Sequence, residues 1–160
     1  MQLQDLFSPS TIKLDLDAAD KDEVFEELTD FLVRTHNLKV RDDILAAIHD
    51  REDKMSTGVH RGIAVPHGKT EAVKALMGVI GISKNGIDYD ALDGQPVHLI
   101  FLLVSSAEDT GPHLKMLRNI ATLLQNPQFY PDLLDATSAE QAYRILCHYE
   151  QALGVQGANG

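Results

Sequence analysis

His67 stands between Pro66 and Gly68, directly after the apolar run Ile63-Ala64-Val65. Pro66 fixes its own φ and biases Val65 toward an extended backbone. Gly68 has no Cβ, so another group can approach the chain closely there. This bracket holds an imidazole at the end of a strand, aimed outward rather than packed. A neutral imidazole with a pKa near ~6.5 is a competent nucleophile at neutral pH. A covalent adduct on such a ring splits a group transfer into two easier steps. His113 follows Gly111-Pro112 and opens an apolar helical pattern, so it too stands at an element's end. Two such imidazoles, one in a glycine-rich surround, predict a reactive site.

The other histidines carry weaker signals. His36 lies near a helix end, His49 and His148 fall on helical patterns, and His98 sits inside an apolar strand. None has a partner at a convincing spacing, and all four are read as structural. His60 is read as a surface loop residue. A metal-dependent hydrolase using His60, His67 and His113 is the competing chemistry. Its spacing is not the His-Glu-x-x-His type, and no carboxylate stands in the Pro-His-Gly element. No metal and no cofactor is expected, and no Gly-x-x-x-x-Gly-Lys-Ser/Thr element marks a nucleotide site.

Several elements must position these side chains. Residues 11–17 alternate apolar and polar, the pattern of a half-buried strand. Asp20 caps a helix carrying Val24, Leu28, Phe31 and Leu32 to about His36. A second helix runs from about Arg41 to Lys54 with Ile44, Leu45 and Ile48 as its stripe, which puts Arg51 in its last turn or just beyond. Residues 63–65 and 75–82 read as strands. Asn85-Gly86 is a turn signal leading into Ile87-Asp88-Tyr89. Residues 97–104 are nearly all apolar, as in a central strand covered on both faces. Helices are expected at 112–125, 127–134 and 138–149, with Ser138 and Gln141 forming a capping box. The order gives an α/β layer with helices on both faces of one sheet. Residues 1–150 form a single domain, and 151–160 are expected to be a flexible C-terminal tail.

Composition narrows the function. The 160 residues are 44% hydrophobic and 24% charged, ordinary values for a globular chain. The formal net charge of -10 disfavours nucleic acid, whose binding rests on Lys and Arg neutralising phosphates, and disfavours an anionic membrane. It suits a basic protein partner. The single cysteine, Cys147, excludes an internal disulfide, fits a reducing compartment and is expected to be buried. No signal-peptide pattern opens the chain and no apolar run reaches the ~20 residues of a membrane span, so a cytoplasmic protein is expected.

Arg51-Glu52, Ser56-Thr57-Gly58, the run from Gly62 to Lys69, and His113-Leu114 occur in the order and approximate spacing of a known family. They resemble the IIA phosphocarrier domain of the fructose/mannitol class, from the phosphoenolpyruvate-dependent sugar phosphotransferase system of bacteria. The likeness covers about Leu6 to Tyr149, and its specific part is Pro-His-Gly-Lys preceded by Gly-Ile-Ala. The resemblance implies a mixed central sheet and makes His67 the phosphorylated residue, through Nε2. It makes His113 the orienting, phosphate-stabilising histidine and Arg51 the arginine whose planar fork grips phosphate oxygens. Ser56, Thr57 and Gly58 are expected to offer hydroxyl and backbone N–H donors to the phosphate. An HPr-type carrier protein is the implied donor, and a IIB domain or a regulated target protein the implied acceptor. Ending after one domain, the chain is similar to the free-standing nitrogen-related IIA regulators. A sugar-transport IIA subunit serving a separate IIB is the alternative. One departure stands out: the family often has glycine where this chain has His60.

Overall fold

In the computed structural model, which describes residues 1–58 and 61–158, five strands form one mixed sheet: β1 (Ile12–Lys13), β2 (Ile63–Ala64), β3 (His67–Lys69), β4 (Met77–Ile87) and β5 (Val97–Ser105). The helices are α1 (Leu3–Leu6), α2 (Lys21–Thr35), α3 (Arg41–Glu52), α4 (Thr110–Leu124), α5 (Phe129–Leu134) and α6 (Ala139–Ala158). The expectation for His60 lies outside the described residues.

The apolar run at 97–104 is the centre of the sheet. Every residue of β5 except His98 is buried. β5 pairs antiparallel with β4 and parallel with β2 and β3, while β4 pairs parallel with β1. Its side chains alternate between two cores. Leu99, Phe101 and Leu103 meet Phe7, Met116, Ile120, Phe129 and Leu146 from α4, α5, α6 and the segment after α1. Ile100, Leu102 and Val104 meet Val24, Phe25 and Leu28 of α2 and Ile44 and Ile48 of α3. Burying each such side chain is worth ~1.5–3 kcal/mol, so it is packing on both faces that fixes where the helices lie. The α/β fold with helices on both faces of a mixed sheet is the one expected.

Several local expectations are corrected. The strand expected at 11–17 pairs only at Ile12 and Lys13, because Thr11 closes a 3-10 turn on Ser8 and Asp15 adopts φ 57°. Asn85-Gly86 is not a hairpin turn. β4 runs through it as a bulge between Ile82 and Ile87, where Gly86 takes φ 87° and its N–H reaches Ser83 Oγ at 3.1 Å. α4 begins at Thr110, so Pro112 falls in its first turn, where a missing N–H costs nothing. α6 continues to Ala158, past the expected end at Tyr149 and through most of the expected tail. Its capping pair is displaced by one residue. Ser138 Oγ accepts from Gln141 N, while Gln141 Oε1 accepts from Thr137 N at 2.7 Å instead of from Ser138. Cys147 is only half-buried. Among the described residues, no helix is long and apolar enough to cross a membrane.

Candidate functional site

β2 and β3 are one edge strand with an interruption. Ile63 and Ala64 pair with Leu99 and Ile100, and His67, Gly68 and Lys69 pair with Leu103, Val104 and Ser105, so the register never slips across Val65-Pro66. Pro66 has no N–H to give, which an edge strand tolerates, and its carbonyl still accepts from Leu103 N at 3.0 Å. Alternation then sorts the motif between the two faces. His67 and Lys69 meet α4, with Lys69 Nζ donating to Thr110 Oγ1 at 2.9 Å. Gly68 faces α3, where a Cβ would stand 2.7 Å from the Ala47 carbonyl oxygen. The glycine therefore lets α3, with Arg51 in its last turn, lie directly against the strand that carries His67.

His67 is half-buried and its orientation is set by its own loop. Nδ1 lies 2.8 Å from the Val65 carbonyl oxygen. A carbonyl can only accept, so Nδ1 carries the proton and Nε2 keeps its lone pair. The His113 ring makes a T-shaped pair with it, with centroids 5.4 Å apart and planes at 69°. His113 is 1% exposed; its Nδ1 is 2.5 Å from Ser105 Oγ, and its Nε2 is buried with no partner among the described residues. Burial is the main force depressing the pKa of both rings. For His67 the Arg51 and Lys69 charges push the same way, against the Val65 carbonyl and Glu52. For His113 burial, with His67 and Lys69 behind it, brings the value down to about 4. Both imidazoles are thus neutral at neutral pH, the state a nitrogen nucleophile needs.

Arg51 stands close enough for its charge to act on His67, and is half-exposed and anchored by Nη1 to the Met55 carbonyl at 3.0 Å. The residues beside it do something else. Glu52 is 6% exposed and accepts from Thr57 N at 3.0 Å and Thr57 Oγ1 at 2.6 Å, with Lys21 Nζ at 3.0 Å. Tyr89 OH closes the group, 2.8 Å from Thr57 Oγ1, while Lys21 lies over its ring. Burial would raise the Glu52 pKa, but these hydrogen bonds and the Lys21 charge outweigh it and hold the carboxyl below its usual value. Thr57 therefore has neither its N–H nor its hydroxyl to spare for a phosphate. The Gly58 N–H is likewise spent, on Ser56 Oγ at 3.1 Å. The donors expected of Thr57 and Gly58 are thus directed into the loop in this structure, and Ser56 keeps its half-exposed hydroxyl proton.

The sequence assigns no role to Glu52, Tyr89, Lys21 or Ser105. Ser105 had a readable signal, as the polar residue continuing the Phe101, Leu103 alternation on the face that meets α4. Tyr89 had none, because 32 residues separate it from Thr57. Among the described residues no three His, Cys, Asp or Glu side chains are grouped to hold a metal.

Residues 5–149 match the sequence profile of the family described as phosphoenolpyruvate-dependent sugar phosphotransferase system, EIIA 2. The chain is 34% identical over 151 residues to the fructose-specific EIIABC component of Bacillus subtilis, spanning 94% of this chain but only 24% of that longer protein. It is 30% identical over 146 residues to a nitrogen regulatory protein of Bradyrhizobium diazoefficiens, spanning 91% of this chain and 95% of the relative. In structure it is similar to the nitrogen regulatory protein IIA-Ntr of Neisseria meningitidis, with TM-score 0.83 and 33% identity over 90% of this chain and 98% of that one.

Proposed function

The chain belongs to the EIIA type 2 family of the phosphoenolpyruvate-dependent sugar phosphotransferase system, and from that membership we propose that it is a cytoplasmic histidine phosphocarrier acting through His67. The observation that carries the reading is the Nδ1–H of His67 held on the Val65 carbonyl, which leaves Nε2 as the open nucleophile beside His113 and Arg51. In the proposed step Nε2 attacks the phosphorus of a phosphohistidine on an HPr-type donor. The donor's N–P bond breaks, its electron pair returns to the donor ring, and the new N–P bond forms on His67. The Nδ1 proton stays in place. Arg51 and the His113 edge face the charge on the three phosphoryl oxygens, and positioning with charge stabilisation does the rest.

The acceptor is proposed to be a protein whose activity follows the phosphorylation state, in a nitrogen-related role, which the likeness to IIA-Ntr supports. A sugar-transport role, with phosphate passed to a separate IIB, is favoured by the 34% identity to a fructose-specific component. The test is phosphotransfer from phosphoenolpyruvate through enzyme I and HPr, with wild type and His67→Ala compared for acid-labile phosphate. Labelling present in wild type and lost in the variant supports the reading. No labelling of folded wild type by a cognate donor set would sink it. Discharge of the labelled protein by a fructose-class IIB would favour the transport role over the regulatory one.

A further inference from the structure

The His113 ring has two nitrogens, one facing a hydroxyl and one without a partner among the described residues, and which of them carries the proton decides what the ring offers to His67. Ser105 ends β5 and is fully buried, with Oγ 2.5 Å from His113 Nδ1. The Nε2 atom is buried and has no partner among the described residues, on a ring that makes a T-shaped pair with His67.

We propose that Ser105 is a positioning residue for phosphoryl transfer: its hydroxyl donates to His113 Nδ1, which fixes the proton on Nε2 and aims that N–H at the phosphoryl group on His67. The proposal rests on the phosphocarrier reading above.

Two tautomers of His113 compete. His67 Nδ1 faces a carbonyl and must donate. His113 Nδ1 faces a hydroxyl, which can give its proton, and the Ser105 hydroxyl has no other acceptor among the described residues. Were Nδ1 the protonated atom, Nε2 would be a buried lone pair on the ring packed against the one that takes on three anionic oxygens, and it would repel them. With the serine donating, the same atom is an N–H that has no partner among the described residues and gains one when the phosphoryl group is attached. A charged His113 would make the serine unnecessary, since both nitrogens would then donate. Burial keeps the ring neutral instead. A neutral imidazole needs a neighbour to choose its tautomer, and that choice is what a group hydrogen-bonded to the far nitrogen does.

The test is nitrogen-15 NMR of the histidine rings in the intact, unphosphorylated protein, paired with the rate of labelling from phosphorylated HPr. Wild type should show His113 as the Nε2–H tautomer. Ser105→Ala should fold, lose that tautomer bias and accept phosphate about tenfold more slowly. Ser105→Thr, which keeps the hydroxyl, should regain both the tautomer and most of the rate. A labelling-competent wild type with the proton on Nδ1, or a Ser105→Ala whose tautomer and rate match wild type, would overturn the role of Ser105 alone. A wild type that takes no phosphate would overturn the phosphocarrier reading and this inference with it, whatever the tautomer.

Discussion

Two polar clusters lie on opposite sides of β3, and they differ in whether their hydrogen bonds are spent. On the α3 side, Glu52, Thr57, Tyr89 and Lys21 satisfy one another, donor against acceptor, in a buried group. On the α4 side, His67 and His113 each use Nδ1 and leave Nε2 open, one ring half-buried and the other wholly so. A closed buried network specifies a shape. A buried nitrogen without a partner costs stability and persists where a ligand will pair it. The difference separates the residues that hold the loop from those proposed to meet the phosphoryl group, although residues of both sets come from the stretch Thr57 to Lys69 or pack directly on it.

The comparison breaks most sharply if each cluster is cut once. Glu52→Ala strands the Thr57 N–H and hydroxyl and leaves the Lys21 ammonium without its carboxylate. It should lower stability by about 3 kcal/mol in urea unfolding, the range for removing one partner of a buried charge pair. His113→Ala should do the reverse. Stability should change by about 1 kcal/mol at most, while phosphoryl uptake slows about 100-fold through loss of a preorganised donor. A Glu52 variant of wild-type stability, or a His113 variant of wild-type rate, would erase the distinction.

Acidification sharpens the same contrast. His113 has a folded pKa of about 4 against an ordinary value near ~6.5, so the folded chain binds fewer protons than the unfolded one between those values. Its contribution is complete above ~6.5 and is lost as pH falls toward 4. His67, also lowered, acts in the same direction. Glu52, lowered from the carboxylate value, holds its contribution until pH falls further, below ~4.3. Stability should therefore fall by about 2 kcal/mol between roughly pH 7 and pH 5 in urea titrations, and His113→Gln should flatten most of that slope. A slope unchanged in the variant would assign the protons elsewhere.

How legible the molecule was in its sequence follows from how local each signal is. The helices α2 and α3, the buried strand β5 and the His67 bracket were readable because periodicity, a capping aspartate and a Pro/Gly pair act within a few residues. Arg51 and His113 needed the family pattern, since neither spacing nor composition says that β3 runs between α3 and α4. Where the Thr57 and Gly58 donors point was not legible, because a Ser-Thr-Gly run offers donors to any acceptor nearby. Which acceptor wins depends on Glu52 and Tyr89 folding against it. The Asn85-Gly86 turn signal falls where Gly86 takes positive φ, but it does not say whether the chain reverses there or bulges.

The smallest change bears on both clusters at once. Gly68 is the point where α3 and β3 touch: an added Cβ would stand 2.7 Å from the Ala47 carbonyl oxygen and 2.8 Å from its carbon, both backbone atoms that cannot swing aside. Gly68→Ala must therefore push α3 away from the strand, and Arg51 with Glu52 moves with the helix. Overpacking of this size costs about 1–2 kcal/mol. Because Arg51 retreats from His67 by the same displacement, uptake should slow as well, by about tenfold for a misplaced charge-stabilising group. Added arginine side-chain reach cannot restore the loss, but a second change that makes room, Ala47→Gly, relieves the Cβ contact though not the backbone one and should recover part of both. If stability falls in Gly68→Ala while uptake holds, the phosphoryl group does not depend on α3, and Arg51 belongs with the residues that only hold the loop.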